Sequence, residues 1–214
     1  MYQLIVGTKM WSSWSLRPWL LMRELDIPFT EVMIPLRTGQ TAAAIAAHSP
    51  SGKIPALKAG ALTVWDTLAI IEYLAERHPQ LAVWPADPDA RAIARSVSAE
   101  MHGGFQALRQ NCPMDFNARG LKPVDATAIQ SDVARISDIW RDCRSQFGAN
   151  GPYLFGAFSA ADAMFAPVVS RFLSYDLVPA TGSGDDAPHT YIATMTALPA
   201  WNQWSREAAG SGTG

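Results

Sequence analysis

The first third of the chain alternates short apolar runs with a helical apolar repeat. Residues 3–8 form an apolar run typical of a buried strand, and residues 29–34 alternate as the two faces of a strand do. Pro18 lies between them, and because proline is tolerated in a first helical turn, it predicts a helix that begins near residues 13–15. The apolar positions of that helix are Leu16, Trp19, Leu20, Met22 and Leu25. Strand, helix and strand in this order predict a βαβ unit with parallel strands.

The stretch Ser49–Leu57 opens with three turn-forming residues. Pro55 cannot donate to a sheet ladder and is expected at the start or edge of a strand. Two short apolar segments around a glycine turn then predict a hairpin, and Asp66 is expected to cap a helix over 67–77. With an Ala-rich helix at 40–47, the order β-α-β-α-β-β-α predicts a mixed four-stranded sheet. A free helix N-terminus beside Pro55 would suit a carboxylate, although a plain hairpin and capped helix explain the residues equally well.

The remainder of the chain shows no strand pattern. Residues 79–89 contain three prolines and predict a linker, so residues 90–209 are expected to form an all-helical domain. A capping box, Ser159-Ala160-Ala161-Asp162, begins a segment that is apolar nearly all round and is expected at the domain centre. The predicted segments are helices at 90–112, 125–147, from 160 onward, 191–198 and 201–208, a flexible loop at 181–186 and a flexible tail at 210–214.

Composition excludes several classes of function. The chain has 214 residues and a formal net charge of -2, so no strong field favours nucleic acid or an anionic membrane. No apolar run is long enough to span a membrane, and two cysteines without a basic leader indicate the cytoplasm. The four histidines lack metal-ligand spacing, and no glycine-rich phosphate loop follows a strand, so we expect neither a metal nor a nucleotide site.

Residues 11–18, Trp-Ser-Ser-Trp-Ser-Leu-Arg-Pro, place three hydroxyl groups at the start of the first helix. One serine suffices to cap a helix and contributes about 1 kcal/mol. The excess suggests a chemical role, while an ordinary cap with spare neighbours is the alternative.

Four motifs in this order resemble those of the cytosolic glutathione transferases, over nearly the whole chain. Residues 12–17 resemble the S-S-C-x-x-R signature of the zeta class, and residues 49–57 resemble the N-P-x-G-K-V-P-x-L loop with its cis-proline. Residues 65–70 resemble the E-S-x-A-I segment that holds the γ-glutamyl group, and residues 159–162 match the F-S-x-A-D cap. The resemblance implies a bacterial zeta/beta-like, serine-type member.

This resemblance implies a thioredoxin-like, glutathione-binding domain at residues 1–78 before the helical domain. Ser12 then corresponds to the thiol-activating side chain, with Ser13 as the alternative. A free thiol has a pKa of about 8.5, and lowering it below 7 takes about 2.7 kcal/mol. One hydrogen bond from a serine to the thiolate supplies on the order of 1.5–3 kcal/mol, and a helix N-terminus adds about 0.3–1 kcal/mol. No metal or base is needed.

The resemblance also assigns residues to the other parts of glutathione, the bound tripeptide. The main chain of Ile54, before a cis-Pro55, would pair with the cysteinyl part, as one more strand would. Asp66 would take the ammonium of the γ-glutamyl group, and Thr67 its carboxylate. Lys53 and Gln40 are candidates for the glycyl carboxylate. Each also fits a plain structural role: a turn lysine, a loop glutamine or a helix cap.

One departure from the zeta signature affects the expected activity. Trp14 stands where that class has cysteine, which argues against a maleylacetoacetate isomerase and favours conjugation of small hydrophobic electrophiles. A glutathione-dependent cis–trans isomerase and a non-catalytic glutathione binder are the alternatives. Arg17 is expected in a structural ion pair, and the family implies a homodimer through segments 67–77 and 90–112. The expected electrophile pocket lies between Met10, Trp11 and the helix that carries Met101, His102, Phe105 and Arg109. His102 and Arg109 would bind an anionic second substrate there or are plain surface residues of that helix.

Overall fold

The structure is a computed structural model that describes residues 1–178 and 186–211. Its first half contains a sheet of strand order β2-β1-β3-β4, in which β1 and β2 are parallel and β3 is antiparallel to both β1 and β4. The elements are β1 (Tyr2–Gly7), α1 (Ser13–Glu24), β2 (Phe29–Ile34), α2 (Thr41–Ala46), β3 (Ala56–Ala59), β4 (Leu62–Val64) and α3 (Thr67–Arg77). This arrangement confirms the predicted mixed sheet and thioredoxin-like order.

Helices alone make up the regular structure described in the second half, apart from a 3₁₀ turn at 148–150 and two isolated β-bridges. The helices are α4 (Pro88–Gly103), α5 (Gln106–Asn111), α6 (Gln130–Phe147), α7 (Ala160–Ser174), α8 (Ala187–Thr196) and α9 (Pro199–Ser211). Nearly every side chain of α7 is buried, and this helix packs against α1 and α4. The all-helical character is confirmed, while the domain division at residues 78 and 90 stays a prediction.

The single helix expected over 90–112 is wrong, because the chain breaks after Gly103. The N–H of Gly104 donates to the carbonyl of Glu100 at 2.8 Å, and a Cβ on Gly104 would lie only 2.7 Å from that oxygen. Phe105 then takes a left-handed conformation with φ of 54°, and the chain turns into the short helix α5. Two glycines at the end of an apolar repeat therefore end the helix although its periodicity continues.

Other predicted boundaries are wrong because side chains end or begin helices. Asp125 accepts hydrogen bonds from the N–H groups of Thr127 and Ala128, so its segment is a turn and α6 begins only at Gln130. Proline stands in the first turn of α4, α8 and α9, each of which begins earlier than expected. Gly210 and Ser211 belong to α9, which shortens the predicted tail; residues 212–214 and most of the predicted loop at 181–186 lie outside the described residues.

Pro18 lies in the sixth position of α1, beyond the first turn in which it was expected. A proline there leaves the carbonyl four residues earlier, that of Trp14, without its helical donor. The hydroxyl of Thr67 donates to this carbonyl at 3.2 Å. A side chain at the start of α3 thus replaces a main-chain hydrogen bond of α1.

The capping box at the start of α7 is present, and it is buried. One carboxylate oxygen of Asp162 accepts from the main chain of Ser159 at 2.9 Å and from its hydroxyl at 3.1 Å. The other accepts from Leu154 N and the Tyr191 hydroxyl, each at 3.1 Å. Burial raises the pKa of Asp162 to about 6, against the opposing effect of these hydrogen bonds.

We expect Asp162→Asn to change how the stability depends on pH. Because burial raises the folded-state pKa of Asp162 from 3.8 to about 6, its contribution is complete below the lower value and is lost as pH rises through the higher one. Asparagine does not titrate, so the free energy of unfolding of the wild type minus that of the variant should fall by about 2 kcal/mol between pH 4 and pH 7. Urea unfolding at several pH values measures it, and a difference that is constant or grows with pH contradicts the prediction.

Candidate active site

A cleft of about 410 Å³ lies where the start of α1, the loop before β3 and the start of α3 meet α4. Residues singled out from the sequence line it: Lys53, Ile54, Pro55, Asp66 and Thr67. A groove of about 760 Å³ between residues 122–141 and 175–177 is larger, but it contains none of those residues. We therefore take the smaller cleft as the candidate site.

The loop that enters this cleft presents main-chain groups. The Ile54–Pro55 bond is cis, as predicted. Ile54 lines the cleft, and its main chain enters no hydrogen bond among those found within residues 1–178 and 186–211. Lys53 lies exposed at the rim.

Ser12 precedes α1 and is only 7% exposed, and it is not among the residues that line the cleft. That hydroxyl donates to the hydroxyl of Ser15 at 2.7 Å, which also accepts from the N–H of Gly7 at 3.2 Å. A Cβ on Gly7 would lie 2.9 Å from Ser12 Oγ and 2.8 Å from Ile54 Cδ1. The glycine at the end of β1 therefore brings the serine and the cis-proline loop close together. Ser13, the alternative to Ser12, begins α1 and is partly exposed.

Asp66 caps α3 as predicted, since one carboxylate oxygen accepts from Leu68 N at 3.1 Å. Its other oxygen accepts a 2.5 Å hydrogen bond from Nε2 of His102 on α4. The two helices are thus joined across the cleft by a partly exposed pair. Thr67 is buried with its hydroxyl on the Trp14 carbonyl, which leaves its main-chain N–H as the group available to the cleft.

Trp14 lies on the floor of the cleft, and two guanidinium groups and one imidazole ring pack against its ring. The guanidinium of Arg17 lies 4.1 Å from its ring centre, that of Arg109 lies at 5.4 Å, and the His102 ring meets its edge at 5.2 Å. Arg17 is fully buried, and burial, with Arg171 and Arg109 nearby, holds its pKa well below the ordinary value.

The expected ion pair of Arg17 is wrong. Its Nε donates to the carbonyl of Met164 at 2.9 Å, and Nη1 donates to that of Ser13 at 3.2 Å. Within residues 1–178 and 186–211 no carboxylate pairs with it. Carbonyl groups and an aromatic face hold this cation in place of an acid.

Several predicted residues lie away from the cleft. Gln40 is exposed at the start of α2. Met101 and Phe105 are buried in the main core, so they do not line an electrophile pocket as expected. Trp11 lies under the Arg37 guanidinium, and the carbonyl of Met10 accepts from Phe116 N. Arg109 reaches the cleft region only through Trp14 and the carbonyl of His102.

Sequence reasoning missed two features of the site. Ser15 accepts the Ser12 hydroxyl, and the signal for it was the third serine of the motif, three residues on and therefore on the same helix face. His102 was assigned to a second-substrate pocket, whereas it bonds the carboxylate of Asp66. No short-range pattern links residues 66 and 102, because only the packing of α3 beside α4 brings them together.

Neither a metal-binding cluster nor a membrane-spanning helix is found where the structure describes the chain. No group of three His, Cys, Asp or Glu side chains is arranged to hold a metal ion in residues 1–178 and 186–211. In the same residues, no helix is both long and apolar enough to cross a bilayer. Cys112 and Cys143 are buried free thiols, and burial raises their pKa values to about 11 and about 12, so neither supplies a reactive thiolate.

Comparisons with known proteins identify the family. Residues 11–77 match the model of the glutathione S-transferase N-terminal domain, and residues 106–207 match that of the C-terminal domain. The maleylacetoacetate isomerase of Rattus norvegicus is 33% identical over 162 residues, which cover 74% of this chain and 72% of that protein. The chain belongs to the glutathione S-transferase family. A probable maleylacetoacetate isomerase of Caenorhabditis elegans is 32% identical over 96 residues, and the match spans only 44% of its length.

Solved structures agree with this family at the level of the fold. A glutathione transferase homologue from Burkholderia, solved with bound glutathione, superposes with a TM-score of 0.72 over 98% of both chains at 22% identity. Both halves of the described structure therefore have the architecture of the family, and the cis-proline loop and the start of α3 lie on the same cleft in this member.

Proposed function

We propose that this protein is a glutathione transferase that conjugates the thiolate of glutathione to small hydrophobic electrophiles. The observation that carries the proposal is a cleft lined by Ile54, before cis-Pro55, and by Asp66 at the start of α3, with the Ser12 hydroxyl beside the Ile54 side chain at Gly7. Each suits a different part of the tripeptide, and the family membership supports the assignment.

Glutathione lies along the loop before β3 in this proposal. The cysteinyl N–H and C=O pair with the main chain of Ile54, as an added strand would. The γ-glutamyl carboxylate accepts from the first N–H groups of α3, including that of Thr67, where the helix dipole favours an anion. Its ammonium bonds Asp66 and takes over the oxygen that His102 occupies. Lys53 at the rim is the first candidate for the glycyl carboxylate, and Gln40, which is exposed and outside the lining, is the second.

The sulfur then faces Ser12. The Ser12 hydroxyl gives up its bond to Ser15 and donates to the thiolate, while Ser15 keeps the N–H of Gly7. A bond to a charged acceptor is stronger than one to a neutral hydroxyl, so this exchange favours the ionised sulfur. Serine acts as a donor and forms no covalent intermediate; the thiolate attacks the electrophile and the leaving group departs with its electron pair.

We expect Ser12→Ala to raise the pKa of the thiol in bound glutathione by about one to two units, because it removes a hydrogen bond worth about 1.5–3 kcal/mol. Ultraviolet absorbance of the thiolate, titrated with pH in the complex, measures the change. Ser13→Ala is the matched control and should leave the pKa unchanged. A rise in Ser13→Ala with none in Ser12→Ala would transfer the role to Ser13.

We expect Asp66→Asn to weaken glutathione binding by about tenfold, since it removes the charged acceptor of the γ-glutamyl ammonium at a half-exposed position. Calorimetry with glutathione measures it. Asp87→Asn is the control, because Asp87 caps α4 through Ala90 N at 2.8 Å and lies outside this cleft. Both variants lose a charged helix cap. An equal loss of affinity in the two would therefore show that losing a cap, and not losing the acceptor of the ammonium, weakens binding.

A glutathione-dependent cis–trans isomerase is the second candidate, favoured by the identity to the rat maleylacetoacetate isomerase. Trp14 on the floor of the cleft, where the zeta signature has cysteine, favours conjugation instead. We expect the protein to conjugate an aryl halide such as chlorodinitrobenzene and to turn over a cis-enediketone much more slowly. The opposite ratio identifies an isomerase, and binding of glutathione without either activity identifies a non-catalytic binder.

The proposal includes a cytoplasmic homodimer assembled through α3 and α4. Ile93 on α4 and Trp65 just before α3 are large apolar side chains that are 39% and 45% exposed. Large apolar side chains left exposed on these two elements suit a surface that a partner covers.

A further inference from the structure

Lys9 is a buried lysine in the loop that leads from β1 to α1. Its side chain is 3% exposed, and Nζ lies 2.8 Å from a carboxylate oxygen of Glu31 on β2. Nζ also bonds a carboxylate oxygen of Glu207 on α9. Burying an ammonium group is costly unless it is paired, and both acids contribute to this pairing.

Two tryptophan rings complete the surroundings of this cation. Nζ lies 4.6 Å from the ring centre of Trp19 and 5.1 Å from that of Trp204. The indole N–H of Trp19 donates to Glu31 at 2.6 Å, and that of Trp204 donates to the main-chain carbonyl of Lys9 at 3.1 Å. We call these five residues the Lys9 box. It joins the first half of the chain to the last helix by both the side chain and the main chain of Lys9.

The same segment is held by α9 through a second route. The carbonyl of Met10 accepts from Phe116 N, and Asn117 exchanges two hydrogen bonds with Ser205 of α9. Residues 9 and 10 are therefore fixed by the helical half, directly through the Lys9 box and indirectly through residues 116–117.

Ser12 follows this segment within one tight turn. The N–H groups of Trp11 and Ser12 both donate to the carbonyl of Thr8, at 3.0 and 2.9 Å. A displacement of Lys9 therefore moves the Ser12 hydroxyl as well. Displacements of about 1 Å at a reacting group reduce rates strongly, so the position of this turn matters for activity.

We infer that Lys9 and Glu207 are positioning residues, through which the last helix sets the place of the Ser12 hydroxyl against the thiolate. The inference rests on the proposed function. Neither side chain lines the cleft, and both act through the turn at residues 8–12. The acid–base chemistry of the site then depends on a helix that contributes no lining residue to the cleft.

The Glu207→Gln variant separates positioning from a direct electrostatic effect. Glutamine keeps the shape and the contact with Gln203, but it no longer holds the ammonium as an anion does. Removing a negative charge would by itself favour the thiolate and lower the thiol pKa. Loosening the turn would weaken the bond from Ser12 and raise the same pKa, so the two explanations predict opposite signs.

We expect Glu207→Gln to raise the thiol pKa of bound glutathione by about 0.5–1 unit, half of what a charge-assisted hydrogen bond supplies. The pH profile of kcat/KM for aryl halide conjugation should move by the same amount, while the KM for glutathione stays within about twofold, since Asp66 and Ile54 are untouched. Glu72→Gln is the control: Glu72 on α3 pairs with Arg95 on α4 and is also 40% exposed, so it tests the loss of another ion pair between the two halves.

A thiol pKa that is unchanged or lower in Glu207→Gln, or one that rises equally in Glu72→Gln, overturns the inference. Urea unfolding of both variants checks that each is folded under the conditions of the titration, and Lys9→Met, which removes the cation itself, should raise the pKa further. The proposed function is tested separately by the wild type: if it binds no glutathione, or binds it without lowering the thiol pKa, the function fails before the variants are compared.

Discussion

The missing hydrogen bond at Pro18 is the constraint on which the site depends. Proline in the middle of α1 leaves the Trp14 carbonyl without a helical donor, and the hydroxyl of Thr67 supplies one. This bond joins the first turn of α1 to the first turn of α3, so two helix N-termini open on one cleft. Each end presents unpaired N–H groups and a positive dipole, and both favour an anion placed between them.

Glycine and cis-proline bring the remaining groups to that cleft. Gly7 ends β1 with space for no side chain, so the Ser12 hydroxyl and the Ile54 side chain approach the same point. The cis bond before Pro55 leaves the Ile54 main chain outside the ladder of β3. A hydroxyl donor and a main-chain segment without hydrogen-bond partners among the described residues then lie side by side. This arrangement suits a short peptide whose middle residue carries a thiol.

Local chemistry in the sequence was sufficient for the elements that depend on neighbours. The Asp66 cap and the Ser159–Asp162 box each require residues only a few positions apart, and both are present, whereas the cis bond before Pro55 was expected from the resemblance to the family. The apolar repeat predicted a helix that continues past Gly104, and this was wrong because any side chain at Gly104 would meet a carbonyl. It also had no means of finding that His102 reaches Asp66, or that Arg17 is held by carbonyls, since both depend on how the halves pack.

Two buried cations, Lys9 and Arg17, lie where the two halves of the chain meet, and they are held in different ways. Lys9, a compact charge, is neutralised by two carboxylates inside a pair of indole rings. Arg17 spreads its charge over a plane, which is held by two carbonyls and one ring without an acid, while its Nη2 has no hydrogen-bond partner among the described residues. The first arrangement sets two acids against one ammonium group and fixes the chain, whereas the second places positive charge beside Trp14, which lines the cleft. Fixing the serine and favouring an anion are thus separate tasks, carried out by different basic residues on either side of the same turn.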